Sequence, residues 1–124
     1  MTTPKKVLIG EDSSVIQNLT KKILEFQNFK ISSAKNGKDV LKALNEESFD
    51  IVLLDINMPQ MDGMTCAKEI RSQQGDLSNI PLVAITGNAR NYTEKDFQDA
   101  GFNEYLQKPL DFDKLVEVVK KYTL

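Results

Sequence analysis

Asp50-Ile51-Val52-Leu53-Leu54-Asp55 decides the fold, because its apolar run is unbroken between two aspartates. A strand with one wet face alternates apolar and polar residues, whereas a central parallel strand covered on both faces does not. Working outward, four further short apolar runs flank it. Lys6 to Gly10 reads as a first strand, and Phe29 to Ser33 as a weaker, alternating second one suited to a sheet edge. Pro81 to Thr86 and Glu104 to Lys108 read as strands four and five.

Between these runs the period changes to that of a helix. Ser13 or Ser14 caps a first helix with apolar positions Val15, Ile16, Leu19, Ile23 and Leu24 at three- and four-residue spacing. Asn36-Gly37 punctuates the chain before a short helix marked by Val40, Leu41 and Leu44. A loop from Ile56 to Gly63 leads to a third helix around Met64 to Ser72, and a polar fourth helix is expected near Thr93 to Ala100. Asp111 is positioned to cap a last helix, with Phe112, Leu115, Val116, Val119 and Tyr122 facing inward. Strict alternation of strand and helix predicts an α/β fold, a parallel sheet with helices on both faces.

The whole-chain numbers agree with one domain over residues 1–124. The chain has 124 residues, 40% hydrophobic and 27% charged, values ordinary for a globular domain with one core. A formal net charge of -2 gives no electrostatic reason for direct nucleic-acid binding. No apolar run approaches the roughly 20 residues that span a bilayer, so no membrane insertion is expected. The single cysteine, Cys66, cannot form an internal disulfide, which fits a cytoplasmic location. There is no histidine, so Ser-His-Asp and Cys-His catalysis and His-based zinc sites are excluded.

In a doubly wound sheet, ligands bind outside the carboxyl ends of the strands. There stand Glu11 and Asp12 after strand one, Asp55 after strand three, Thr86 after strand four and Lys108 after strand five. Taken singly, each has a plainer explanation: Glu11-Asp12 as acids at a helix start, Asp55 as a turn cap, Lys108 as surface charge, Thr86 as a hydroxyl bonding its own backbone. Together they suggest chemistry. Gathered carboxylates repel unless a cation holds them. Hard oxygen donors with open positions suit Mg²⁺, Mn²⁺ being a substitute. An aspartate in that setting can act as a nucleophile and form an acyl phosphate.

At this point the chain resembles a known family. Glu11-Asp12, Leu54-Asp55-Ile56-Asn57-Met58-Pro59 with Met61-Asp62-Gly63, Thr86, and Lys108-Pro109 are similar to the signature of response-regulator receiver domains, from about residue 6 to 122. The resemblance implies a (βα)5 flavodoxin-like sandwich with strand order 2-1-3-4-5. It implies Asp55 as phosphoacceptor, Asp12 and Glu11 as magnesium-site acids, and the backbone carbonyl of Asn57 completing the metal shell. Thr86 and Lys108 would contact the phosphoryl group, Tyr105 would change rotamer with Thr86, and the Lys108–Pro109 bond would be cis. Implied partners are a histidine kinase or histidine phosphotransfer protein, which supplies the phosphohistidine this chain lacks, and a downstream protein target.

One departure stands out: Gly87 follows the threonine where alanine or serine is usual, which loosens that loop. Asn57 and Asn88 occupy positions that modulate loss of the phosphoryl group in the family. Rival readings are an aspartate-nucleophile phosphohydrolase and a flavin- or nucleotide-binding module. The first normally carries a second aspartate where Asn57 stands; the second needs a glycine- or hydroxyl-rich loop where Glu11-Asp12 stand. The chain ends with its last helix, so no attached output domain is expected, and both a stand-alone regulator and a receiver from a hybrid kinase remain open.

Overall fold

β1 (Lys6–Gly10), β2 (Lys30–Ala34), β3 (Ile51–Asp55), β4 (Leu82–Thr86) and β5 (Glu104–Gln107) form one parallel sheet in the order β2-β1-β3-β4-β5. This comes from a computed structural model that describes residues 3–87 and 92–124. The helices are α1 (Ser14–Phe26), α2 (Gly37–Glu46), α3 (Gly63–Arg71), α4 (Glu94–Ala100) and α5 (Phe112–Thr123).

Alternation along the central strand sorts the core into two layers. Val52 and Leu54 of β3 face α2, α3 and α4, packing with Val40, Ile70 and Phe97. Ile51 and Leu53 face α1 and α5, packing with Leu24, Leu115 and Val119. Every residue of β3 and β4 is buried, as two covered faces require, while the edge strand β2 is largely half-exposed.

Capping fixes the helix starts. Ser13, rather than Ser14, caps α1, its side-chain oxygen accepting from Ile16 N. Asn36, Asp62, Thr93 and Asp111 do the same for α2, α3, α4 and α5. The helix expected around Met64 to Ser72 runs from Gly63 to Arg71; β2 is shifted by one residue at both ends, β4 starts one residue later than expected and β5 ends one residue earlier.

Two expectations of the sequence are corrected. A short 3₁₀ helix, Gly75–Asn79, lies before β4 where no element was expected. On α1, Val15 and Leu19 are 70% and 46% exposed, whereas the polar Gln17 and Thr20 face inward. Those two polar groups spend their hydrogen bonds on backbone carbonyls: Gln17 Nε2 on Glu11 O and Ala34 O, Thr20 Oγ1 on Ile16 O. A buried amide with bonded partners can displace an apolar side chain from the inner face.

On α5, Leu115 and Val119 are buried as expected, and Val118 joins them, while Phe112, Val116 and Tyr122 are half-buried. Arg71 closes the α3 end by donating to Gly101 O, Ser78 O, Ile80 O and Asn103 Oδ1 at 2.7–3.0 Å. Gly101, at φ 106, ends α4 in the left-handed region, and the Arg71 side chain lies where a Cβ would stand.

Candidate functional site

Three strand ends deliver the acids and the lysine to one place. After β1, Glu11 N donates to Ala34 O at 3.0 Å, carrying the β1–β2 ladder one residue past the strand. Gln17, reaching back from α1, holds the Glu11 carbonyl at 3.0 Å. Sequence reasoning missed this buttress, because a glutamine inside a helix gives no signal of what its amide reaches. The Glu11 side chain turns inward, 2% exposed, and its Oε2 accepts from Ser13 N at 3.2 Å. Asp12 beside it is exposed.

Asp55, the last residue of β3, is 2% exposed. Its Oδ1 accepts from Asn57 N at 2.9 Å and its Oδ2 from Lys108 Nζ at 2.8 Å. The turn after it is tight: Gly63 N donates to Ile56 O at 3.1 Å, and a Cβ on Gly63 would stand 2.6 Å from Asp55 O and 2.7 Å from Ile56 Cα. Glycine is therefore required there by the close approach of α3 to the strand end.

Thr86 ends β4 fully buried, one residue beyond Ile85, the register partner of Asp55. Its carbonyl accepts from Lys108 N at 2.8 Å, joining the ends of β4 and β5. The Lys108–Pro109 bond is cis. Asn57 is exposed. Tyr105, 36% exposed, is stacked on Phe97 of α4 with ring centroids 4.8 Å apart and 19° between planes. Asn88 lies outside the described residues.

The electrostatics follow from this crowding. Lys108 Nζ sits 2.8 Å from Asp55 Oδ2 and 3.0 Å from Glu11 Oε1, so one ammonium serves two buried carboxylates. The Glu11 contact is an ion pair without hydrogen-bond geometry, which leaves Oε1 buried and lacking a hydrogen bond. Burial, reinforced by the neighbouring Asp55, pushes the Glu11 carboxyl up to about 7; Ser13 N–H and Lys108 pull the other way. Burial alone would lower Lys108, but its hydrogen bond to Asp55 and its ion pair with Glu11 outweigh that and hold it above the ordinary lysine value. The Cys66 thiol, buried and pushed up to about 12, has no part in this chemistry.

Glu11, Asp12 and Asp55 each offer a carboxylate oxygen, and these lie within 4.8 Å of one another. An all-oxygen donor set with one buried oxygen lacking a hydrogen bond fits a hard divalent cation such as magnesium.

Comparisons with known proteins bear on the same surface. Residues 7–120 match the model of the response regulator receiver domain. The hybrid signal transduction histidine kinase M of Dictyostelium discoideum is 34% identical over 119 residues, covering 93% of this chain but only 5% of that kinase. The polar-differentiation response regulator DivK of Brucella anthropi is 28% identical, with 96% of each chain covered. Among solved structures, the receiver domain of the sensor histidine kinase PA1611 from Pseudomonas aeruginosa superposes with a TM-score of 0.89 at 25% identity, covering 98% of both chains. That structure has a magnesium ion coordinated in its active-site cleft.

Proposed function

Because this chain belongs to the response regulator receiver domain family, we propose that it accepts a phosphoryl group on Asp55 from a partner's phosphohistidine. The family comprises the phosphorylatable switches of two-component signalling, found both in hybrid kinases and in small regulators. The observation that carries the reading is the gathering of Glu11, Asp12 and Asp55 oxygens within 4.8 Å beside Lys108.

Glu11, Asp12, Asp55 and the Asn57 backbone carbonyl would hold Mg²⁺, with Mn²⁺ a substitute. Bound there, the cation supplies positive charge that neutralises the acids and the transferring phosphoryl oxygens. In the transfer an Asp55 carboxylate oxygen forms a bond to phosphorus as the phosphorus–nitrogen bond breaks, and the departing imidazole keeps the electron pair. Lys108, already 2.8 Å from Asp55 Oδ2, moves from the carboxylate to the new phosphoryl oxygens. Thr86 turns its hydroxyl to the same group.

The chain is thus a switch rather than a turnover enzyme, although it assists its own phosphorylation and dephosphorylation. Added charge at Asp55 draws Thr86 and Lys108 inward and biases the surface of α4, β5 and α5, where Tyr105 leaves or re-forms its stack on Phe97. A downstream protein reads that surface. The phosphodonor, a histidine kinase or histidine phosphotransfer protein, docks on α1 and the loops around Asp55. Its apolar seat is Val15, Leu19 and Phe26, exposed by 70%, 46% and 85%. The site belongs in the cytoplasm, and among the described residues no helix is long and apolar enough to cross a membrane.

The test is phosphotransfer. A ³²P-labelled histidine phosphotransfer domain, mixed with this protein and magnesium, is expected to pass label to the wild type and none to Asp55→Asn. Equal label on the variant would overturn the assignment.

A further inference from the structure

Of the three acids in the site, Asp12 is the one whose side chain nothing holds. Glu11 is fixed through Ser13 N and Lys108, and Asp55 through Asn57 N and Lys108. The Asp12 side chain is exposed and, among the described residues, makes no hydrogen bond or ion pair. Its oxygen nevertheless lies within 4.8 Å of those of Glu11 and Asp55. The aim of this carboxylate is therefore set by its backbone.

Gln17 grips that backbone on both sides of Asp12. Its Nε2 donates at 3.0 Å to Glu11 O, the carbonyl of the peptide that joins Glu11 to Asp12. Its main-chain N donates at 2.9 Å to Ser13 O, one residue further on. A planar peptide held by its oxygen cannot swivel, so the first bond fixes the plane from which Asp12 projects. The same amide donates at 3.3 Å to Ala34 O, which also accepts from Glu11 N at 3.0 Å, so the turn is tied to the end of β2. Any residue at 17 supplies the main-chain bond, but the side-chain bond needs a donor of this reach. Thr20, the other polar residue on the inner face of α1, spends its hydroxyl within its own helix, on Ile16 O.

Resting on the reading of Glu11, Asp12 and Asp55 as a divalent-cation site, we propose that Gln17 is a positioning residue for the cation: its amide holds the Glu11–Asp12 peptide so that the Asp12 carboxylate is aimed before the ion arrives. Losing the amide leaves all three ligands in place and loosens one of them. Metal affinity should fall, and a saturating concentration of the ion should restore the site. A merely structural glutamine would lower stability without changing the affinity of the folded protein.

The experiment measures Mn²⁺ affinity from the electron paramagnetic resonance signal of the free ion, on folded wild type, Gln17→Met, Gln17→Asn and Thr20→Val. Methionine keeps the length and removes the donor, and Mn²⁺ is expected to bind about fivefold to tenfold more weakly. Asparagine keeps the donor but shortens its reach; a loss of about threefold is expected, which supplies the readout if the methionine variant does not fold. Thr20→Val removes a buried hydroxyl from the same helix and should change affinity by less than about twofold. With acetyl phosphate as donor, Gln17→Met should need correspondingly more Mg²⁺ for half-maximal phosphorylation, while its rate at saturating Mg²⁺ stays within about threefold of wild type. Unchanged Mn²⁺ affinity in both Gln17 variants, or an equal loss in Thr20→Val, overturns the role given to Gln17. Wild-type protein that binds no Mn²⁺ overturns the cation-site reading itself.

Discussion

Replacing Lys108 with methionine keeps the length of the stem and removes the charge that two buried carboxylates share. Nζ lies 2.8 Å from Asp55 Oδ2 and 3.0 Å from Glu11 Oε1, and both acidic side chains are 3% exposed. Stripping the partner from a fully buried pair costs about 3–5 kcal/mol, while an exposed pair contributes about 0–1 kcal/mol. Lys108 itself is 23% exposed, so water screens part of the interaction and the expected loss is about 2–3 kcal/mol. For a chain of 124 residues, that lowers Tm by about 8–12 °C.

The measurement is thermal and urea unfolding at pH 8, above the value of about 7 to which Glu11 is pushed in the wild type, with EDTA and with excess Mg²⁺. A divalent cation replaces the missing ammonium in Lys108→Met, whereas in wild type it competes with the lysine. Magnesium should therefore stabilise the variant more than the wild type; at 100 times its Kd it contributes about 2.7 kcal/mol. A loss below about 0.5 kcal/mol in EDTA, or equal magnesium stabilisation of both proteins, would refute the reasoning.

Other perturbations test other parts of the account. Glu11 has a folded value of about 7 against an ordinary 4.5, so in that interval the native state keeps a proton the unfolded chain has released. Metal-free stability should fall as pH rises from about 4.5 to about 7, and urea titrations of Glu11→Gln should lack this component. Gly63→Ala forces a methyl into the Asp55–Ile56 backbone; a loss of about 1–3 kcal/mol is expected, with slower phosphorylation by acetyl phosphate, and an unchanged rate would count against the tight turn as a positioning device. Arg71→Ala removes the guanidinium donor from three carbonyls and from Asn103 Oδ1, which keeps only its bond from Leu82 N, for an expected loss of about 2–4 kcal/mol by urea unfolding; Arg71→Lys should recover only part of it.

Much of this was legible in the sequence because the informative residues sit where two constraints coincide. The run Ile51–Leu54 has no polar position, so only a strand covered twice accommodates it, and the chemistry-bearing residues fall directly at strand ends. Among the caps, Asp111 has a local job readable from the next three positions, while Asn36, Asp62 and Thr93 emerge as caps only in the fold. What escaped was decided at a distance. Gln17 is buried because carbonyls of Glu11 and Ala34 await its amide, which turns Val15 and Leu19 out to solvent against the helical pattern. The reach of Arg71 to backbone carbonyls of later segments leaves no mark on residue type, and neither does the 3₁₀ turn Gly75–Asn79, which has no apolar period. The stack of Tyr105 on Phe97 joins two elements whose spacing carries no hint of contact.

The central claim is that Asp55 is a nucleophile kept ready among acids that a divalent cation can hold. Its most direct measurement traps the product. After treatment with acetyl phosphate and Mg²⁺, sodium borohydride reduces an acyl phosphate to the alcohol, and peptide mapping then locates the residue changed. Homoserine at position 55, absent when EDTA replaces magnesium, is the predicted result. Homoserine at another aspartate position, the longer alcohol at a glutamate position such as Glu11, or no reduced residue anywhere after treatment with magnesium, would contradict the account.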